Sequence, residues 1–212
     1  SRITINAPLN LTGSAATLRL ISGGDIQESG TGAILIGKAG TPGSVTGQAG
    51  GAAVLDAAGN SFDALAGFTA GAGLRVATGA SAGAGRTGLT VTGGVSSGTG
   101  DLSLANVGLT ISGTAVGGTL QLGTSLVPAT LSAGTGTLTL TVSGGNGAAT
   151  AIVQAPGTTL TAGTLTGSAT NPVGGAAYDV VLNGGAGNNI GTLGSFVVRT
   201  GAGPYVPAGA FQ

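Results

Sequence analysis

VTGQAGGAAVLDAAGNSFDALAGF, from Val45 to Phe68, recurs later in the chain as LTGSATNPVGGAAYDVVLNGGAGNNIGTLGSF, from Leu165 to Phe196. Both stretches carry a Thr-Gly step, a Gly-Gly-Ala-Ala block, a Val-Leu pair, a Gly-Asn step and an L-x-x-F ending. Asn60 to Phe68 aligns with Asn188 to Phe196 without a gap, 128 residues apart, which sets Leu65 against Leu193 and Phe68 against Phe196. Upstream the match runs on loosely, Gly24-Asp-Ile-Gln-Glu28 resembling Ala151-Ile-Val-Gln154. The 212 residues thus read as one domain, 1–212, of about 1.65 copies of a diverged 128-residue repeat. Self-similarity on this scale marks stacked architectures, in which each unit buries its apolar face against the next.

Between and within the copies the readable segments are short, alternate with period two and are punctuated by glycine. Thr17–Ile21, Leu89–Thr92, Leu102–Leu104, Thr119–Leu122 and Thr137–Val142 are the clearest, and Ile3–Ile5, Ala33–Ile36, Leu74–Val76, Leu109–Ile111, Val180–Leu182 and Phe196–Val198 follow the same rule. Leu, Ile and Val fall on one face, Thr and Ser on the other, as in strands with one buried and one wet side. No ten-residue stretch has helical spacing with a cap, so negligible helix is expected. Three such strands make one coil of about 20 to 30 residues, stacking at about 4.8 Å per rung. The expected fold is all-β, a parallel β-helix or β-solenoid. Leu65, Phe68, Leu193 and Phe196 are its predicted core, and Asn60 and Asn188 its predicted turn or ladder amides.

Composition supports assembly over disorder. Gly (46) and Pro (7) make up a quarter of the chain, but 41% of residues are apolar and only 6% charged, which is not the profile of a disordered segment. Absence of His, Cys, Met and Trp excludes disulfides, zinc fingers and Ser-His-Asp or Cys-based catalysis. Six basic residues balance six acidic ones without clustering, so no basic stripe awaits nucleic acid. Near-zero net charge favours association. No apolar run approaches the length of a membrane-spanning helix, and no membrane insertion is expected. With no Met in the chain, Ser1 is expected to be a processed or excised end rather than a translation start.

The blocks GLTVTGGVSSGTGDLSL (Gly88–Leu104), LRLISGGDIQESGTGAI (Leu18–Ile34) and GNNIGTLGSFVV (Gly187–Val198) resemble the repeat region of bacterial filamentous-haemagglutinin-like exoproteins, and similar strings occur in autotransporter passengers. The resemblance covers essentially the whole chain. It implies a right-handed β-helix rod, secreted to the bacterial cell surface, with a role in adhesion, biofilm formation or filament building. The Asn-Pro-rich signatures of that family's secretion domain are missing, so the resemblance is to the shaft.

Motifs that would carry chemistry are weak. Gly83-x-Gly85-x-x-Gly88 matches a dinucleotide fingerprint but precedes a strand, and about two such matches arise by chance at this glycine content. Gly184-Gly-Ala-Gly-Asn-Asn189 is similar to a calcium-binding nonapeptide, with Asn189 where the carboxylate belongs. Asp25 with Glu28 and Asp56 with Asp63 are the nearest carboxylate pairs, and only Tyr178, Tyr205 and four Phe could serve as sugar platforms. Thr-x-Thr strings read as the polar face of strands. The chain is therefore expected to be no enzyme and to need no cofactor or metal. The leading reading is a structural rod of an extracellular filament that assembles end to end, its partner being another copy or flanking repeats of the same protein. The alternative is a surface adhesin recognising glycan or protein on a host or neighbouring cell. Its loops would be the interruptions at Gly40–Gly43, Asn171–Gly175 and Gly203–Gly209.

Overall fold

The computed structural model describes residues 1–12, 15–38, 41–79, 88–107, 109–111, 114–116, 118–144, 150–171 and 179–200. The chain winds as a β-solenoid without helix among these residues. The first coil contains β1 (Ile3–Ile5), β2 (Pro8–Leu11) and β3 (Thr17–Ser22); the second contains β4 (Ile26–Glu28), β5 (Ala33–Lys38), β6 (Thr41–Pro42) and β7 (Ser44–Ala49). Next come β8 (Ala53–Leu55) with β9 (Ala64–Ala70), then β10 (Leu74–Gly79) with β11 (Gly88–Ser96). The following coil holds β12 (Leu102–Val107), β13 (Leu109–Ile111), β14 (Thr114–Val116), β15 (Thr119–Leu122) and β16 (Ala129–Ser132). Then follow β17 (Thr137–Ser143), β18 (Thr150–Gln154), β19 (Thr159–Asn171), β20 (Asp179–Val181) and β21 (Asn189–Thr200). β19 and β21 each bend through two faces of the stack: β19 pairs with β16 through Thr159–Thr161 and with β17 through Thr164–Thr170.

Strands of successive coils pair in parallel, and like positions stack. On one face Ile3, Ile26, Ala53, Leu74, Leu102, Leu138, Leu165 and Leu193 form a single column of register partners. Successive members are 21 to 36 residues apart. The longest coil is the one that carries the antiparallel hairpin β13–β14. Alternation fixes the faces. In β17 Leu138, Leu140 and Val142 are fully buried, while the intervening threonines are half-exposed and Thr139 and Thr166 hydroxyls meet across the rungs at 3.1 Å. Each fully buried aliphatic side chain contributes about 1.5–3 kcal/mol, and these columns form one continuous core. No helix among the described residues is long and apolar enough to cross a membrane.

The sequence repeat is a local structural unit used twice. Val45 pairs with Leu65 and Gly47 with Phe68, with a register shift between them; Leu165 pairs with Leu193 and Gly167 with Phe196, with the same shift. In each case the Phe ring lies over the glycine of the preceding rung. A Cβ on Gly47 or Gly167 would stand 2.7 Å from the ring's Cε2, closer than any real contact. The two copies sit on different faces, the first in the β3–β7–β9–β11 ladder and the second in the β17–β19–β21 ladder.

That placement corrects one expected core residue. Leu65 and Phe68 are fully buried and Phe196 packs half-buried against the core, but Leu193 is 55% exposed. Leu193 occupies the same inward column as Leu165, which is buried. It is uncovered because β21 pairs with β19 on one side and no described strand lies against its other side.

Candidate functional site

The corner after β8 gathers the most unusual chemistry. Asn60 is buried there and ties three successive coils together. Its Oδ1 accepts the Ile34 N–H at 2.8 Å, and its Nδ2 donates to Glu28 Oε2 at 2.9 Å and to the Ala77 carbonyl at 3.2 Å. Glu28 Oε2 also accepts the Ala57 N–H at 2.8 Å, whereas Glu28 Oε1 is buried with no hydrogen-bond partner among the described residues. Burial pushes the Glu28 carboxyl above the usual carboxylate range; the bonds from Ala57 and Asn60 oppose this, and repulsion from Asp56 adds to it. Asp56 itself pairs with Arg75 at 2.7 Å on the surface.

A cleft of about 490 Å³ opens beside this node, walled by Asp56, the turn from Ala57 to Ser61, the stretch Ala77–Gly79 and Val107. Its size suits a small ligand, but its polar walls are committed. Asn60 is saturated as above, and the buried Thr78 hydroxyl donates to the Phe62 carbonyl and accepts the Phe62 N–H, both at 3.1 Å. Glu28 does not line the cleft. The arrangement ties neighbouring coils together.

The second repeat copy builds a related node around Asn188. Asn188 Oδ1 accepts the Leu160 N–H at 3.0 Å, as Asn60 Oδ1 accepts that of Ile34. Asn188 Nδ2 donates to Gln154 Oε1 at 2.9 Å and to the Leu182 carbonyl at 3.1 Å, while Gln154 Nε2 donates to Asn188 Oδ1 at 2.7 Å and to the Thr158 carbonyl at 2.8 Å. Both asparagines thus act as the turn and inter-rung amides that the repeat predicts. Their partners, Glu28 and Gln154, are the residues that reading missed; the loose upstream match was their one signal.

The remaining candidates resolve into structural roles or lie outside the described residues. Asp25 Oδ1 accepts the Ala52 N–H at 3.0 Å, Asp63 Oδ2 that of Gly43 at 2.7 Å and Asp101 Oδ1 that of Thr137 at 2.8 Å, so three carboxylates clamp backbone N–H groups of adjoining coils. In the nonapeptide-like loop Asn188 points into the node, and Asn189 begins β21. Among the described residues no three His, Cys, Asp or Glu side chains form a cluster able to hold a metal ion. Gly83–Thr87 of the dinucleotide-like string, Tyr178, Tyr205, Gly40, Pro172–Gly175 and Gly203–Gly209 lie outside the described residues. Of the expected loop sites, Thr41–Pro42 pairs back on Gly37–Lys38 as a small hairpin. No family model, curated protein or solved structure matches the chain.

Proposed function

We propose that this chain is a structural rod, the shaft of a secreted, haemagglutinin-like bacterial surface filament, whose outermost rungs are continued by like rungs. The observation that carries the proposal is the identity of the residues exposed at the two ends of the stack. Leu9 and Leu11 are register partners of Ile34 and Ile36, both fully buried, yet they are 36% and 43% exposed. At the other end Leu193, in the column that begins at Ile3, is likewise an inward position left exposed. These are core positions waiting for one more rung, and an open parallel edge above them offers N–H and C=O groups for β-augmentation. Rungs stacked on each end, from other copies or from more of the same protein, cover both. The body between them, with few charges and committed polar groups, suits a load-carrying shaft.

The test uses Leu9→Lys and Leu193→Lys together. Both side chains are already partly in water, so the fold tolerates the charges, whereas a stacked interface would bury them at several kcal/mol each. Sedimentation and electron images of the parent should show concentration-dependent, end-to-end particles, and the double variant should stay monomeric. A parent that remains monomeric at high concentration, or a double variant that assembles like the parent, overturns the reading and leaves the projecting turn with its 90% exposed Leu126 as the feature to pursue for ligand recognition.

A further inference from the structure

We infer that Glu28 is built into the fold as a neutral carboxylic acid with its proton on Oε1, making the Asn60 node a pH-sensitive clamp on the first coils. The second node supplies the template. There Gln154 fills the place of Glu28, its Oε1 taking the asparagine Nδ2 and its Nε2 serving as donor to the asparagine Oδ1 and to a backbone carbonyl. Glu28 Oε2 takes the Asn60 Nδ2 in the same way, at the same 2.9 Å. That leaves Glu28 Oε1 in the role of the amide nitrogen, buried and with no partner that donates to it. An oxygen in a donor's place reproduces the node only if it carries a hydrogen.

Two donors, the Ala57 N–H and Asn60 Nδ2, reach Glu28 Oε2, but no ion pair to Glu28 occurs among the described residues. The register partner of Glu28 on β1 is Ile5, and β5 contributes the Ile34 N–H, which Asn60 takes. From the segment after β8 comes Asp56, a second negative charge, and the cation nearest it, Arg75 on β10, is bound by Asp56 and 65% exposed. Asp25, on the turn into β4, spends its Oδ1 on the Ala52 N–H. Burial raises the carboxyl's affinity for its proton, so the sign is fixed: the stabilising contribution is full below the ordinary unfolded value and disappears as pH rises through the folded one. Deprotonation then places a buried charge, held by the Ala57 and Asn60 donors but by no described cation, in the seam between the first coils.

The experiment follows the side-chain carboxyl of selectively labelled protein by infrared and carbon NMR through a pH titration, beside urea denaturation of the parent, Glu28→Gln and Gln154→Glu. Expected is a protonated carboxyl signal persisting above the ordinary carboxylate range in the parent and missing from Glu28→Gln. Through that titration the parent's folding constant should fall by up to about tenfold per pH unit. Glu28→Gln should lose this dependence and match or exceed the parent's stability at neutral pH, and Gln154→Glu should gain a second dependence of the same sign. A Glu28 that titrates at or below the ordinary value of 4.5, or a Glu28→Gln protein with the parent's pH slope, overturns the inference. The spectroscopic readout on the parent stands even if a variant fails to fold.

Discussion

Phe68 and Phe196 make the same local unit, a ring over a glycine one rung away, but in different settings, so truncating each to alanine separates the unit from its place in the stack. Phe68 is fully buried, with Gly47 on the preceding rung and Val95 as its register partner on the following one. Phe68→Ala leaves a closed void between rungs and should cost about 3–5 kcal/mol. Phe196 packs against the core but remains half-exposed, because no described strand covers β21. Only about half of its transfer energy is at stake and water fills the gap, so Phe196→Ala should cost about 1 kcal/mol. Thr139→Ala, which removes a half-exposed hydroxyl, serves as control and should stay within about 0.5 kcal/mol. Urea denaturation of dilute protein, with midpoints compared at constant slope, measures all three. Equal losses for the two phenylalanines in dilute solution would refute the reasoning, since the terminal rung would then be covered as fully as an interior one. Under the rod reading the Phe196→Ala penalty should grow at concentrations where the ends are stacked.

Gly167→Ala should be more damaging than its small volume implies, at about 2 kcal/mol or more, because the new methyl meets both the Leu140 carbonyl oxygen and the Phe196 ring; calorimetric melts check it, and a loss under about 0.5 kcal/mol would show that the rungs are not in that contact. Melting with and without a strong chelator should coincide, since the described residues bring no metal-binding cluster together, and a chelator-induced fall in Tm would contradict this.

The strands legible in the sequence are those whose inward positions are all large. β15 and β17 place Leu or Val inward and Thr, Gln or Ser outward, and their alternation survives in the burial of the folded chain, as does that of β12 from Leu102 to Leu104. Among the strands that escaped are some in which an inward residue is small. Ala53 in β8 sits between Ile26 and Leu74, and Gly47 in β7 sits beneath Phe68. In a stacked coil the space at one rung is filled jointly with its neighbours, so a small residue is inward when the partner 20 or so residues away is large. Hydrophobic alternation within one strand does not register that compensation. For the same reason Leu193 read as core: its column is a core column, and only its position at the outermost described rung exposes it.

The candidate site was half legible, and the missing half has a definite cause. Asn60 and Asn188 stand out because an ungapped segment runs from each to its phenylalanine. Their partners lie a full coil upstream, and the two coils differ in length: Glu28 precedes Asn60 by 32 residues, whereas Gln154 precedes Asn188 by 34. A gap of two residues in a glycine-rich stretch is enough to blur that match, although each asparagine takes a backbone N–H on its Oδ1 and donates its Nδ2 to the Glu or Gln oxygen. A Glu on one side and a Gln on the other would also pass as surface variation. Burial changes that, because the two side chains have the same shape and differ in whether the position can donate. What the two nodes share is therefore the central asparagine, with its Oδ1 taking a backbone N–H and its Nδ2 donating to the Glu or Gln side-chain oxygen. Under the neutral-acid inference Glu28 takes Gln154's part in its protonated form, so that a Glu at one node and a Gln at the other is a difference between the copies that pH can read out.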